Sequence, residues 1–175
     1  MLIDLTEVLK GEEKVVETEA ELGFDAFVSK LGKFPIVSKS PISLIIENQG
    51  DRRVHIEGSE DLEILIPCSR CLEEVKTSLK LRFERELDLN KAEAQAVETL
   101  DEHNYLDGYN LDVDKLVYGE IVFHWPMKVL CKEDCKGICS TCGTNLNLGT
   151  CNCDSTDFDP RMARIRDIFS KCKEV

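Results

Sequence analysis

Apolar and polar residues alternate along the middle of the chain with the period of two that is typical of half-buried β-strands. Segments with this composition predict four strands, over 41–47, 52–57, 62–66 and 75–89. The intervening stretches 48–51 and 58–61 are polar and contain glycine, so they predict turns. Because the strands follow one another through short connections, the pattern predicts an antiparallel meander.

Apolar residues at helical spacing occur on both sides of this meander. The segments that have this spacing are 5–9, 24–31, 113–123 and 160–169. Gly11, Gly23 and Gly32 lie next to or near the ends of the first two segments, whereas Asp112 and Asp159 stand where they can cap the last two. Pro160 also fits the first position of a helix. We therefore predict short or irregular helices near the N-terminus and two capped helices after the meander.

These elements predict an α+β fold in which an antiparallel β meander body precedes a helical, cysteine-rich C-terminal segment. Residues 1–89 form the mainly β body, which carries a Cys-x-Arg-Cys element. Residues 90–111 are acidic, lack periodicity and predict a linker or loop. Residues 112–175 contain a helix, a cysteine block and a basic C-terminal helix.

The chain carries 34 acidic and 22 basic side chains, a formal net charge of −12. Such a surface repels phosphate, which excludes nonspecific nucleic-acid binding by the whole surface. No apolar run approaches the ~20 residues of a membrane helix. The first residues also lack the basic and apolar regions of a secretory signal. We therefore expect a cytoplasmic protein that does not enter a membrane.

Nine cysteines in a chain without a secretory signal point to metal or redox chemistry more than to disulfides. Eight of them form four pairs: Cys68-x2-Cys71, Cys131-x3-Cys135, Cys139-x2-Cys142 and Cys151-x-Cys153. Because zinc prefers four tetrahedral thiolates, two pairs can close one site. We predict a first site from Cys139, Cys142, Cys151 and Cys153, and a second from Cys68, Cys71, Cys131 and Cys135. The chain would then bind one or two zinc ions and leave Cys172 free.

Two other uses of the cysteine pairs stay open. A redox dithiol usually opens a helix in a thioredoxin-like unit, but no helix of the needed length follows Cys68. An iron–sulfur cluster also takes four thiolates, although these spacings differ from the common ferredoxin patterns.

The sequence does not favour an enzyme. Catalytic zinc usually has histidine or carboxylate ligands and an open position for water. The three histidines, His55, His103 and His124, lie at no ligand spacing to a cysteine pair, and we predict surface or packing roles for them. No catalytic-triad order or phosphate-binding loop is present. We therefore expect neither catalysis nor a small-molecule substrate.

A set of motifs spread along the chain carries a family resemblance. The motifs are Cys68-Ser69-Arg70-Cys71-Leu72-Glu73, Leu130-Cys131, Cys135-Lys136-Gly137-Ile138-Cys139, Cys142-Gly143, Asn145-Leu146-Asn147 and Asp159-Pro160-Arg161. Together they resemble the bacterial YceD family, the large ribosomal RNA subunit accumulation proteins, from about Gly32 to the C-terminal helix. The resemblance implies a role in the maturation or accumulation of large-subunit rRNA.

Three hypotheses about function follow. The first is a zinc-stabilised adaptor whose acidic surface contacts basic ribosomal proteins or rRNA-processing factors. In this hypothesis, arginines contact rRNA phosphate directly or bind a partner, namely Arg70, Arg161, Arg164 and Arg166. The second is a cytosolic zinc-thiolate sensor of oxidants or metal. The third, a nuclease subunit, needs carboxylate-bound magnesium, but we predict that the acidic residues of 86–114 are solvated.

Overall fold

The computed structural model describes residues 1–11, 15–90 and 105–153. The chain divides into two compact units, which we call the β unit and the cysteine unit. The β unit comprises Met1–Ile66 and Glu74–Val129, and the cysteine unit comprises Pro67–Glu73 and Leu130–Val175. Residues 91–104, most of the predicted linker, lie outside the described residues, so that linker stays a prediction.

Strands dominate the described part of the β unit. The elements in chain order are β1 (Leu2–Asp4), α1 (Thr6–Leu9), β2 (Val15–Ala20), β3 (Ala26–Ser29), β4 (Gly32–Lys39), β5 (Ile42–Gly50), β6 (Arg53–Pro67), β7 (Glu74–Asp88), β8 (Leu106–Asp107), β9 (Asn110–Asp112) and α2 (Val113–Phe123). Few helices and mostly antiparallel strands confirm the predicted antiparallel β body.

The strands of the described ranges form two sheets. The larger sheet has the order β2-β5-β6-β4-β3, and β7 also pairs with β6. Its defined pairs are antiparallel; for example, Ile46 lies opposite both Val16 and Ile56. The smaller sheet has the order β1-β9-β8 and joins the first residues to the segment that precedes α2. Alternate residues of the central strands, such as Leu44 and Leu81, are fully buried and form the core.

Strand β6 is longer than the sequence pattern predicts. The predicted turn at 58–61 was wrong, since residues 53–67 form one strand. The reason lies in packing: a Cβ atom on Gly58 would come within 2.1 Å of Cζ of Phe83. Gly58 therefore leaves room for an aromatic ring from β7, which is a common use of glycine inside a strand.

The helix predictions had mixed outcomes. Helix α1 and helix α2 are present, and the carboxylate of Asp112 caps α2 by accepting a hydrogen bond from the Lys115 amide at 3.3 Å. The helical spacing over 24–31 was wrong, because strand β3 lies there and pairs with β4. Its Phe27 ring packs at 5.0 Å from the ring of Trp125, so tertiary packing explains the apolar spacing. None of the described helices is long and apolar enough to cross a membrane.

Candidate metal centres

The segment Pro67–Glu73 of the cysteine unit is a tight turn that aims two sulfur atoms to one side. The Cys68 amide donates to the Glu73 carbonyl at 2.8 Å, and the Cys68 carbonyl accepts from the Leu72 amide at 3.0 Å. Leu72 adopts a positive φ of 63°, which this close chain reversal requires. The result is the knuckle-like geometry that two cysteines separated by two residues need in order to bind the same metal ion.

This turn meets a second cysteine pair to form what we call the first cluster, which is the second of the two sites predicted from the sequence. The four Sγ atoms of this cluster lie within 4.8 Å of one another; they belong to Cys68, Cys71, Cys131 and Cys135. The Sγ atoms of Cys68 and Cys135 are 3.8 Å apart, and those of Cys71 and Cys131 are 3.4 Å apart. A disulfide would bring two sulfurs to ~2.05 Å. Four thiolates bound at ~2.3 Å to a tetrahedral ion lie ~3.8 Å apart, so the cluster has the spacing of a metal site.

Three of the four cysteines of the first cluster are buried, and sulfurs of the cluster accept hydrogen bonds. The amides of Arg70 and Cys131 lie 3.5 and 3.4 Å from Sγ of Cys68. Burial disfavours the thiolate, but the N–H groups of Cys71, Arg70 and Cys131 outweigh it and lower the pKa of Cys68 to about 6. The side-chain amide of Asn147 donates to Sγ of Cys135 at 3.3 Å and lowers the pKa of that thiol.

The remaining thiols resist ionisation when no cation is nearby. The Glu73 N–H favours the Cys71 thiolate, but burial and the three neighbouring thiols raise the pKa of Cys71 to about 12. Four thiolates at these distances therefore need a positive ion between them. The donor set and its spacing thus fit a divalent ion that favours sulfur.

The second cluster comprises Cys139, Cys142, Cys151 and Cys153, whose sulfur atoms also lie within 4.8 Å of one another. A hydrogen-bonded turn positions Cys139 and Cys142. In this turn the Cys139 amide donates to the Thr144 carbonyl at 2.8 Å, and the Gly143 amide donates to the Cys139 carbonyl at 2.9 Å. Gly143 has a φ of 73°, in the left-handed region that favours glycine. The eight described cysteines of the two clusters are free thiols.

The second cluster differs from the first in exposure. Cys142 is exposed and its three partners are half-buried, whereas three cysteines of the first cluster are buried. The Thr144 hydroxyl, 3.0 Å from Sγ of Cys142, is the main reason that the pKa of Cys142 falls to about 6. The neighbouring Cys142 sulfur raises the pKa of Cys153 to about 12. This cluster also needs a cation to ionise fully, and solvent can reach it.

The chain between the two clusters links them. The Ile138 amide donates to the Arg70 carbonyl at 3.2 Å, and the Leu146 amide donates to the Gly137 carbonyl at 2.9 Å. A Cβ on Gly137 would approach the Arg70 carbonyl oxygen to 3.1 Å, and its φ is 80°. Asn145 donates to a Glu73 carboxylate oxygen at 3.0 Å. One hydrogen-bonded frame therefore supports both cysteine clusters.

Two residues of this frame, Asn145 and Asn147, were not predicted from the sequence as members of a candidate site. Asn147 holds a cluster sulfur and accepts from the Lys136 amide at 2.9 Å, and Asn145 braces it. The only sequence signal was their place in the motif Asn145-Leu146-Asn147, because an asparagine that donates to a thiolate has no ligand spacing of its own.

The predicted arginines have different outcomes. Nη1 of Arg70 donates to the carbonyl of Cys135 at 2.8 Å, so this side chain links the turn that carries Cys68 and Cys71 to the pair Cys131 and Cys135. Contact of Arg70 with RNA stays a prediction. Arg161, Arg164, Arg166 and Cys172 lie outside the described residues, and their roles stay predictions.

The comparisons with known proteins bear on the chain that carries these clusters. No curated protein and no solved structure matched. Residues 56–169 match the family described as Large ribosomal RNA subunit accumulation protein YceD. The matched range includes both cysteine clusters and the Asn145–Asn147 motif, and it covers well over half of the 175 residues. The chain therefore belongs to the YceD family of large ribosomal RNA subunit accumulation proteins.

Proposed function

We propose that this chain is a non-enzymatic, zinc-binding adaptor in the biogenesis of the large ribosomal subunit, where it supports the processing or accumulation of large-subunit rRNA. The observation that carries the proposal is the presence of two four-cysteine clusters inside the region that matches the YceD family. We place the adaptor in the cytoplasm, where ribosomal precursors mature and thiols stay reduced.

Zinc is the ion that the donor sets favour. Four thiolates at the corners of a tetrahedron suit Zn²⁺, and the neutral histidine or carboxylate ligands of catalytic zinc are absent from both described clusters. Each cluster fills its ion's coordination sphere with sulfur and leaves no position for water or substrate. Two such closed sites support a structural role in which zinc fixes the shape of the cysteine unit.

The charge of the chain supports protein partners as well as RNA. A net charge of −12 favours basic ribosomal proteins or processing factors over bare phosphate. The predicted C-terminal helix supplies the opposite charge through Arg161, Arg164 and Arg166. An acidic chain with a basic end can contact a basic protein and an rRNA phosphate at the same time.

Affinity capture from a bacterial lysate tests the proposal. Zinc-loaded, tagged full-length chain is incubated with lysate in the presence and absence of ribonuclease, and bound proteins and rRNA are identified. We expect enrichment of large-subunit components, and binding that survives ribonuclease indicates a protein partner. Cys71→Ser should lose this enrichment, while Cys172→Ser, which changes a cysteine outside the four pairs, should keep it. The proposal is wrong if the wild-type chain enriches no ribosomal component under either condition.

A zinc-thiolate sensor is the second candidate, and the exposure of the second cluster favours it. An oxidant can reach the exposed Cys142 more easily than the buried Cys68. Low doses of peroxide should then release about one metal ion reversibly and change partner binding. Simultaneous release from both clusters, or unchanged partner binding, would contradict a sensor role.

A further inference from the structure

A third group of metal-ligating side chains lies on the large sheet of the β unit. His55 and Glu57 are two residues apart on β6, so their side chains leave the same face of the strand. Strand β7 pairs with β6 and brings Glu84 beside them. One ligand atom from each of the three residues lies within 4.8 Å of the others. His55 was predicted to have a surface or packing role, because it lies at no ligand spacing to a cysteine pair.

The distances between the ligand atoms of this group match the distances between two ligand atoms of one bound metal ion. Nε2 of His55 lies 3.3 Å from Oε1 of Glu57 and 3.4 Å from Oε1 of Glu84. Good hydrogen bonds between nitrogen and oxygen are shorter, at ~2.9 Å. Two ligand atoms bound at ~2.0–2.1 Å to one ion, with a tetrahedral angle between them, lie ~3.3–3.4 Å apart.

The burial of the group fits a fixed imidazole and two adjustable carboxylates. The His55 residue is only 8% exposed, and its Nδ1 atom is buried without a hydrogen-bond partner among the described residues. Packing therefore holds the ring so that Nε2 faces both carboxylates. The side chains of Glu57 and Glu84 are 56% and 72% exposed, so they can move to complete a coordination shell.

The nearby positive charge on β7, Arg82, is paired with another carboxylate. Arg82 lies two residues from Glu84 on the same face of β7, but its Nη2 is 3.0 Å from the carboxylate of Asp61. Two carboxylates thus converge on one ring nitrogen in a chain that is already strongly acidic. A cation at their meeting point would remove this repulsion and accept a lone pair from Nε2 of His55.

A groove of about 450 Å³ borders the group, and Glu57, Glu84 and Ser59 are among its lining residues. Water can therefore reach an ion held here and fill the positions that three protein ligands leave open. A donor set of one imidazole and two carboxylates suits Zn²⁺ or Mn²⁺ and contrasts with the sulfur of the cysteine clusters. We propose that His55, Glu57 and Glu84 form a third metal site, which binds one divalent transition-metal ion together with water.

Manganese titration of the full-length chain, loaded with two equivalents of zinc that the cysteine clusters bind first, tests this site, since Mn²⁺ competes poorly for thiolates. Electron paramagnetic resonance measures the free Mn²⁺ that remains in solution. We expect one bound Mn²⁺ per chain. The double variant Glu57→Gln/Glu84→Gln should weaken that binding by about 100-fold or more, because even the loss of an outer partner of a ligand typically costs 10–100-fold.

The matched control is Glu17→Gln/Glu19→Gln, which removes two exposed carboxylates from β2 of the same sheet. It should keep wild-type affinity, and His55→Gln should lose the site while circular dichroism confirms folding. The third site is refuted if the wild-type chain binds no Mn²⁺ at millimolar concentration. Equal weakening in both double variants would also refute it, because general acidity of the sheet would then explain the binding.

Discussion

Glu60 is a buried carboxylate whose ionisation opposes folding of the β unit. It lies on β6, is 1% exposed, and neither of its carboxylate oxygens has a hydrogen-bond partner among the described residues. Burial raises the pKa of Glu60 to about 7; Lys39 opposes this effect and Asp114 adds to it. The carboxyl group is therefore easier to protonate in the folded chain than in the unfolded chain.

The sign of the pH dependence follows from this difference. Below the ordinary glutamate pKa of 4.5, both states are protonated and Glu60 costs nothing. Between 4.5 and about 7 the unfolded chain ionises first, so stability falls as pH rises, and above about 7 the cost is constant. The full difference corresponds to ~3 kcal/mol at 1.36 kcal/mol per pKa unit. Because the surroundings of an ionised group relax, we expect ~1–3 kcal/mol.

Urea unfolding of Glu60→Gln at pH 5 and pH 8 measures this cost. The fluorescence of Trp125, the single tryptophan, reports the β unit because its ring packs against Phe27 and Phe34. Relative to wild type, the variant should gain ~1–3 kcal/mol on going from pH 5 to pH 8. The control is Glu63→Gln, which removes a carboxylate from a half-buried position of the same strand. If wild type and Glu60→Gln change in parallel with pH, the reasoning is refuted.

Three further predictions concern packing and metal retention. Gly58→Ala should destabilise the β unit by ~1–3 kcal/mol in the same urea assay, because its Cβ would overlap the Phe83 ring; an unchanged midpoint would contradict this packing. Asn147→Ala should weaken metal binding at the first cluster by ~10–100-fold in a chelator competition, since a sulfur loses its donor; wild-type retention would assign Asn147 no such role. A chelator should remove metal from the exposed second cluster before the first, in two phases, and a single phase would refute this order.

Local spacing in the sequence was enough to find the four cysteine pairs. Pairs separated by one to three residues predict shared ligand positions, and the structure brings them together as the two predicted groups of four. The closure of Cys68 with Cys135 spans 67 positions, and spacing alone left that pairing open. The frame around the clusters could not be predicted, because Asn147 acts through a side-chain contact that no periodicity records.

Tertiary packing explains the errors in the predicted elements. Gly58 suggested a turn, yet the glycine is needed inside a strand to admit Phe83. Phe27 fitted a helical spacing, but it lies on a strand where Trp125 covers it. The same limit hid His55, which meets Glu84 from a neighbouring strand, and Glu60, whose carboxylate has no hydrogen-bond partner in the part of the chain that the structure describes. Such features depend on which strands pair, and local patterns do not specify that.

The metal content of reduced protein, purified without added metal, tests the central claim most directly. Mass spectrometry of the full-length chain should find two zinc ions per chain tightly held by thiolates, because each four-cysteine cluster closes one tetrahedron. Cys71→Ser and Cys142→Ser should each lose about one zinc, and Cys172→Ser should keep both. A protein without metal, or one that contains iron in place of zinc, would contradict the account.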